Sequence, residues 1–113
     1  RIEEKGGFVV NSYGTFRVNG LLATSRAFGD PILKPMVTAQ PEIMNTSFNR
    51  ENHRFLVLGS DGLFDVMDNQ SVVEFVYNSM LDGATVAESA QALVREAIAR
   101  GSMDNVSAIV VLL

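Results

Sequence analysis

The clearest pattern of apolar and polar positions lies near the end of the chain. Val86, Ala90, Leu93, Val94, Ala97 and Ile98 recur at i, i+4, i+7, i+8, i+11 and i+12, the spacing of one helical face. They predict a helix running to Arg100 and ended by Gly101. Its start is marked by Thr85-Val-Ala-Glu88, a capping box in which a hydroxyl and a carboxylate satisfy amides that have no partner within the helix. Upstream, Val72, Val73, Val76 and Met80 predict a second helix over about 69–81, with Asp68 as its N-cap and Asp82-Gly83 at its end.

Other apolar stretches lack a helical period. "RFLVLGS" places four apolar residues, Phe55 to Leu58, between Arg54 and Gly59, and predicts a strand buried on both faces. "VSAIVVLL", residues 106 to 113, predicts a final strand covered on both faces for the same reason. "DGLFDVM" reads as a tight turn into a helical segment. In the first third of the chain, short strands are expected around Val9, Phe16 and Leu22, with Asn19-Gly20 as the hairpin signal. "SRAFGDPILKP" reads as loop with at most a short helix, "MVTAQPEI" as an edge strand ended by Pro41, and residues 45 to 53 as a polar loop.

Composition narrows the class. A chain of 113 residues is one domain's worth, and 47% hydrophobic with 19% charged residues is the balance of a globular protein. A net charge of -4 with nine Lys and Arg argues against a nucleic-acid partner, which demands clustered positive charge. The absence of cysteine removes disulfides and thiolate metal sites. Apolar runs such as 109–113 are far too short to span a bilayer, so no membrane partner is expected; a cytoplasmic or nuclear location is entertained but is not determined by the sequence. The chain opens without Met and closes on a strand-like run, which leads to the expectation of a fragment.

The chemistry-bearing residues are acidic. Asp61 follows the strand at 55–58, and Asp104 precedes the final strand. If the two strands run antiparallel, both carboxylates emerge at one end, where like charges repel unless a cation neutralises them. Oxygen ligands suit hard ions, hence magnesium or manganese rather than zinc. An Asp-Gly pair is by itself more often a turn than a ligand, so spacing alone leaves both readings open.

Four motifs, "RVNGLLATSRAFGD", "VTAQPEI", "FLVLGSDGLFDVMDNQ" and "MDNVSAIVV", follow one another in that order. Together they resemble the C-terminal half of the metal-dependent serine/threonine protein phosphatases of type 2C. The resemblance runs from Arg1 to Val111. It implies an α+β fold, part of a two-sheet antiparallel β-sandwich flanked by helices, and hydrolysis of phosphoserine or phosphothreonine by a water activated between two Mg2+ or Mn2+ ions. Phosphoprotein substrates and the N-terminal half of the same domain are the implied partners.

Residue by residue, the resemblance implies metal-ligand roles for Asp61 and Asp104. For Asp65 it implies contact with a further ion through water, with capping of the following turn as the other reading. Gly62 is expected to permit an unusual backbone angle, and Asn105 to orient Asp104 by hydrogen bonding. Arg26 and Asp30 are expected to support the site through an ion pair or loop hydrogen bonds. Residues 1–20 correspond to the flap beside the substrate groove, where Arg17 either meets a phosphopeptide or stands solvated. His53, the single histidine, is read as exposed. The phosphate-binding Arg and general-acid His of the family belong to its N-terminal half. No catalytic residue is therefore expected in this chain, which should be incomplete and inactive alone. A pseudophosphatase or regulatory binding module with the same fold is the alternative.

Overall fold

The computed structural model describes residues 1–49 and 51–113, so the expected polar loop at 45–53 is described except at Arg50. The chain divides into two compact units, Arg1–Thr46 and Ser47–Leu113.

In the first unit, β1 (Val9–Ser12) and β2 (Thr15–Val18) form an antiparallel hairpin with Val9 opposite Val18 and Ser12 opposite Thr15. The hairpin turn is Tyr13-Gly14, both left-handed at φ 51° and 88°, and the Asn11 side chain accepts the Gly14 amide at 2.9 Å. Asn19-Gly20, the pair expected to make a hairpin, is also left-handed, at φ 50° and 73°, but returns the chain only to a single Val18–Leu22 bridge. Such paired left-handed residues match the twist of antiparallel strands. The strand expected around Leu22 is thus one bridge long.

The edge strand expected over 36–43 does not form. Thr38 makes one parallel bridge with Arg26, after which the Gln40 amide turns back to the Thr38 hydroxyl at 3.1 Å and Pro41 has no amide to offer. The loop before it holds only a short 3-10 helix, Pro31–Leu33, as expected. Val18, Leu33 and Val37 form the buried core of this unit, with Ile2, Leu22, Ala27 and Met36 packed around them.

In the second unit, β3 (Phe55–Gly59) pairs antiparallel with β4 (Ala108–Leu112), from Phe55 opposite Leu112 to Gly59 opposite Ala108. Between them run α1 (Asp61–Phe64), α2 (Asn69–Leu81) and α3 (Val86–Ala99). Leu63, Met67, Val72, Val76, Leu93 and Ala97 are buried together, and Phe55, Val57, Ala108 and Val110 pack on them from the strands. The opposite strand face is not covered as expected: Leu56 and Leu58 are each 49% exposed, Ile109 60% and Val111 40%. An unbroken apolar run raises the tendency to be covered on both faces, but among the described residues the helices pack against one face of the sheet. No helix among the described residues is long and apolar enough to cross a membrane.

The two helices are bounded as their sequences predict. Asp68 accepts the Ser71 amide at 2.7 Å. Thr85 Oγ1 accepts the Glu88 amide at 3.2 Å while Glu88 Oε2 accepts the Thr85 amide at 2.8 Å, completing the capping box. At the far ends, Gly83 and Gly101 are left-handed, and the amides that follow, of Ala84 and Ser102, return to the Ser79 and Ala97 carbonyls.

Amide hydrogen bonds from Ser71 and Thr85, reinforced by the side chains of the same residues, hold the Asp68 and Glu88 carboxyls below their ordinary values of 3.8 and 4.5. A depressed carboxyl pKa stabilises the fold above the unfolded-state value and loses that contribution as pH falls through the folded-state value. Glu88→Gln is therefore expected to flatten the acid limb of a stability-against-pH curve below about pH 5, as followed by circular dichroism melts. At neutral pH, Thr85→Ala should lower stability by about 1 kcal/mol in urea denaturation, with Thr85→Ser close to the parent.

Candidate metal-binding site at one end of the β3–β4 pair

Antiparallel pairing brings the exit of β3 and the entry of β4 to the same end of the sheet. The Ser60 amide continues the ladder to the Ser107 carbonyl at 3.0 Å. Its hydroxyl then works in both directions, donating to the Asn105 carbonyl at 2.9 Å and accepting the Ser107 amide at 3.0 Å. Asp61 is the first residue of α1, whose short turn faces Leu63 into the core.

Gly62 is what lets this turn approach the one before β4. A β-carbon there would lie 2.6 Å from the Asn105 carbonyl oxygen and 3.3 Å from the Asp104 β-carbon. Its backbone is not among the left-handed glycines of the chain. The expected unusual angle is corrected to a requirement for space, imposed by the neighbouring turn rather than by the local conformation. The Ser102 hydroxyl closes the same junction by donating to the Gly62 carbonyl at 2.7 Å.

Asp61 and Asp104 thus stand on abutting turns, both exposed. Asp61 Oδ1 accepts the Gly62 amide at 3.0 Å, and Asp104 Oδ1 accepts the Asn105 amide at 2.7 Å. None of the ion pairs among the described residues reaches either carboxylate. Two oxygen-bearing acids on adjoining turns fit a hard divalent cation, which takes about six oxygens and so requires further ligands. No group of three or more acidic or histidine side chains that could hold a metal ion occurs among the described residues.

The other predicted residues fall in varied places. Asn105 acts on Asp104 through its main-chain amide. Asp65 is exposed and closes α1, its amide bonded to the Asp61 carbonyl at 2.8 Å, while the following helix is capped by Asp68 instead. Arg26 donates from Nε to the Gln40 carbonyl at 3.1 Å and lies 3.9 Å from Glu42, so its ion partner is not Asp30. Asp30 sits at φ 50° ahead of the 3-10 helix. Arg17 is half-buried and donates to the Leu21 carbonyl at 2.9 Å, which ties it to its own turn. His53 is exposed, and its Nδ1 accepts the Asn49 amide at 3.0 Å.

Ser60 and Ser102 are the site residues that sequence reasoning missed. Their partners lie 40 to 47 positions away, and no local pattern announces them.

The steric reading of Gly62 has a sharp consequence. An exposed helical Gly→Ala change ordinarily stabilises by up to ~1 kcal/mol. Gly62→Ala should instead destabilise, by about 1–3 kcal/mol in urea denaturation, because the added methyl meets backbone rather than a movable side chain.

Comparison with known proteins adds the family. The description "Protein phosphatase 2C" matches residues 1–106. The chain is 48% identical over 111 residues to the probable protein phosphatase 2C 69 of Arabidopsis thaliana, covering 98% of this chain and 30% of that protein. It is 47% identical to the probable protein phosphatase 2C 59 of Oryza sativa subsp. japonica, covering 98% and 32%. Among solved structures, a Caenorhabditis elegans (C.elegans) sex determining protein superposes with a TM-score of 0.86 at 31% identity, over 99% of this chain and 28% of the other. The serine-threonine phosphatase 2C from Toxoplasma gondii superposes at 0.82 and 28% identity, over 99% and 42%. The chain therefore spans about a third of the length of the curated relatives it matches.

Proposed function

Because the chain belongs to the protein phosphatase 2C family, we propose that it supplies part of the active site of a metal-dependent serine/threonine protein phosphatase. The observation that carries this reading is the junction of two aspartate-bearing turns at one end of β3–β4, closed by Gly62 and two serine hydroxyls. Asp61 and Asp104 offer carboxylate oxygens there to magnesium or manganese. When bound, such ions make a water molecule acidic enough to attack phosphorus and neutralise the phosphate oxygens.

The residues of this chain hold and orient; they do not themselves move a proton or touch phosphorus. Each aspartate spends one oxygen on the amide that follows it, which holds the carboxylate in place and leaves its other oxygen to a cation. Asp65, exposed one turn beyond Asp61, is assigned a contact through water with a further ion. Arg17 is assigned to hold the turn at 17–22 in shape, since its guanidinium is engaged by the Leu21 carbonyl. The substrates are phosphoserine and phosphothreonine proteins. The phosphate-binding Arg and the general-acid His belong to the rest of the catalytic domain.

In the full-length parent, Asp61→Asn and Asp104→Asn should each cut turnover of a phosphothreonine peptide at limiting manganese by at least about 10-fold, with circular dichroism unchanged. The amide keeps the side-chain shape and removes the charge. Parental turnover by either variant would overturn the ligand assignment.

A further inference from the structure

We infer that Ser60 and Ser102 are positioning residues for the cation site, setting the separation of the two aspartate-bearing turns through their hydroxyls. This rests on the assignment of Asp61 and Asp104 as cation ligands. Neither serine needs to touch the metal or the substrate for this role.

The two hydroxyls act on opposite sides of the junction. Ser60 precedes Asp61, and its Oγ joins the Asn105 carbonyl at 2.9 Å and the Ser107 amide at 3.0 Å, so it grips the main chain on both sides of Val106. Ser102 lies two residues before Asp104, and its Oγ donates to the Gly62 carbonyl at 2.7 Å, one residue past Asp61. Each aspartate is therefore flanked by a serine that bonds the main chain of the other turn. Ser102 is itself anchored, because its amide closes the C-terminus of α3 on the Ala97 carbonyl at 3.1 Å. Ser60 is anchored by its ladder bond to Ser107. The bonds run from well-held main chain, and Gly62 leaves no slack between the turns. Groups that orient metal ligands without binding the metal commonly change affinity by 10- to 100-fold when removed, because the ligands must then be brought into place at binding.

Manganese affinity of the full-length parent, measured by electron paramagnetic resonance of free Mn2+, is the readout that separates positioning from mere stability. Ser60→Ala should raise the manganese Kd about 10-fold. Ser60→Thr, which keeps the hydroxyl, should restore the Kd. Ser102→Ala should act in the same direction, and with one bond lost rather than two it carries the test if Ser60→Ala does not fold.

Ser89→Ala is the control. Ser89 is fully buried and its hydroxyl lies 3.0 Å from that of Ser79 between α2 and α3. Its loss should lower the melting temperature and leave the manganese Kd within about 2-fold, as for an independent site. If Ser60→Ala and Ser102→Ala move the Kd no further than Ser89→Ala, while Asp61→Asn and Asp104→Asn abolish binding, the positioning role is wrong and the ligand assignment stands. If the two aspartate variants bind manganese as the parent does, the ligand assignment fails and the positioning role falls with it.

Discussion

The close approach of Gly62 to the Asn105 carbonyl is the constraint on which the second unit depends. A β-carbon at 2.6 Å from that oxygen is not tolerated, so only glycine lets α1 begin where it does. The same short turn then points Leu63 into the core beside Met67, Val72 and Leu93. One residue therefore settles two placements: the hydrophobic anchor that ties the strand exit to the helices, and the outward position of Asp61. Because Leu63 is fully buried, rotating the turn to relieve a clash at Gly62 would also withdraw a side chain whose burial is worth on the order of 2 kcal/mol. Site and core share a backbone segment, and neither can be moved alone.

What the sequence discloses depends on how far apart the interacting residues lie. The two long helices were legible because their caps act within four residues: Asp68 with Ser71, and Thr85 with Glu88. The antiparallel return of β4 stood only as a condition, because apolar runs do not fix the direction in which two strands pair. The hairpin in the first unit was misplaced because Tyr13-Gly14 makes the same left-handed turn as Asn19-Gly20, and tyrosine at φ 51° gives no warning. The strand over 36–43 failed because an edge strand requires a partner, which local sequence does not supply. The exposed face of β3–β4 was misread for a related reason: an apolar run records what a segment could bury, not what lies against it. Of the site, the aspartates were visible as motif residues, whereas Ser60, Ser102 and the steric role of Gly62 depend on contacts across some forty positions.

Most of the acidic residues lie in the second unit, and identical carboxylates do unlike work there. Asp68 and Glu88 accept amides at helix starts, where those amides would otherwise lack partners, and their acidity is correspondingly raised. Their charge is used locally, by the backbone. Asp61 and Asp104 each accept only the next amide and face no cationic side chain within ion-pair reach among the described residues. The difference lies in position. The capping acids stand at the N-cap or in the first turn of helices of three or more turns, whereas the site acids stand on short connections that the sheet end brings together.

That juxtaposition carries a cost which the fold itself must offset. Like charges on abutting turns repel. Opposing that repulsion are the ladder bond from Ser60 to Ser107 and the three hydroxyl bonds of Ser60 and Ser102. Each hydrogen bond contributes only about 1 kcal/mol net, and the burial of Leu63 adds to them. The turns are held by protein groups rather than by whatever binds between them. On the reading proposed for Asp61 and Asp104, a cation's binding energy is therefore not spent on bringing the two turns together.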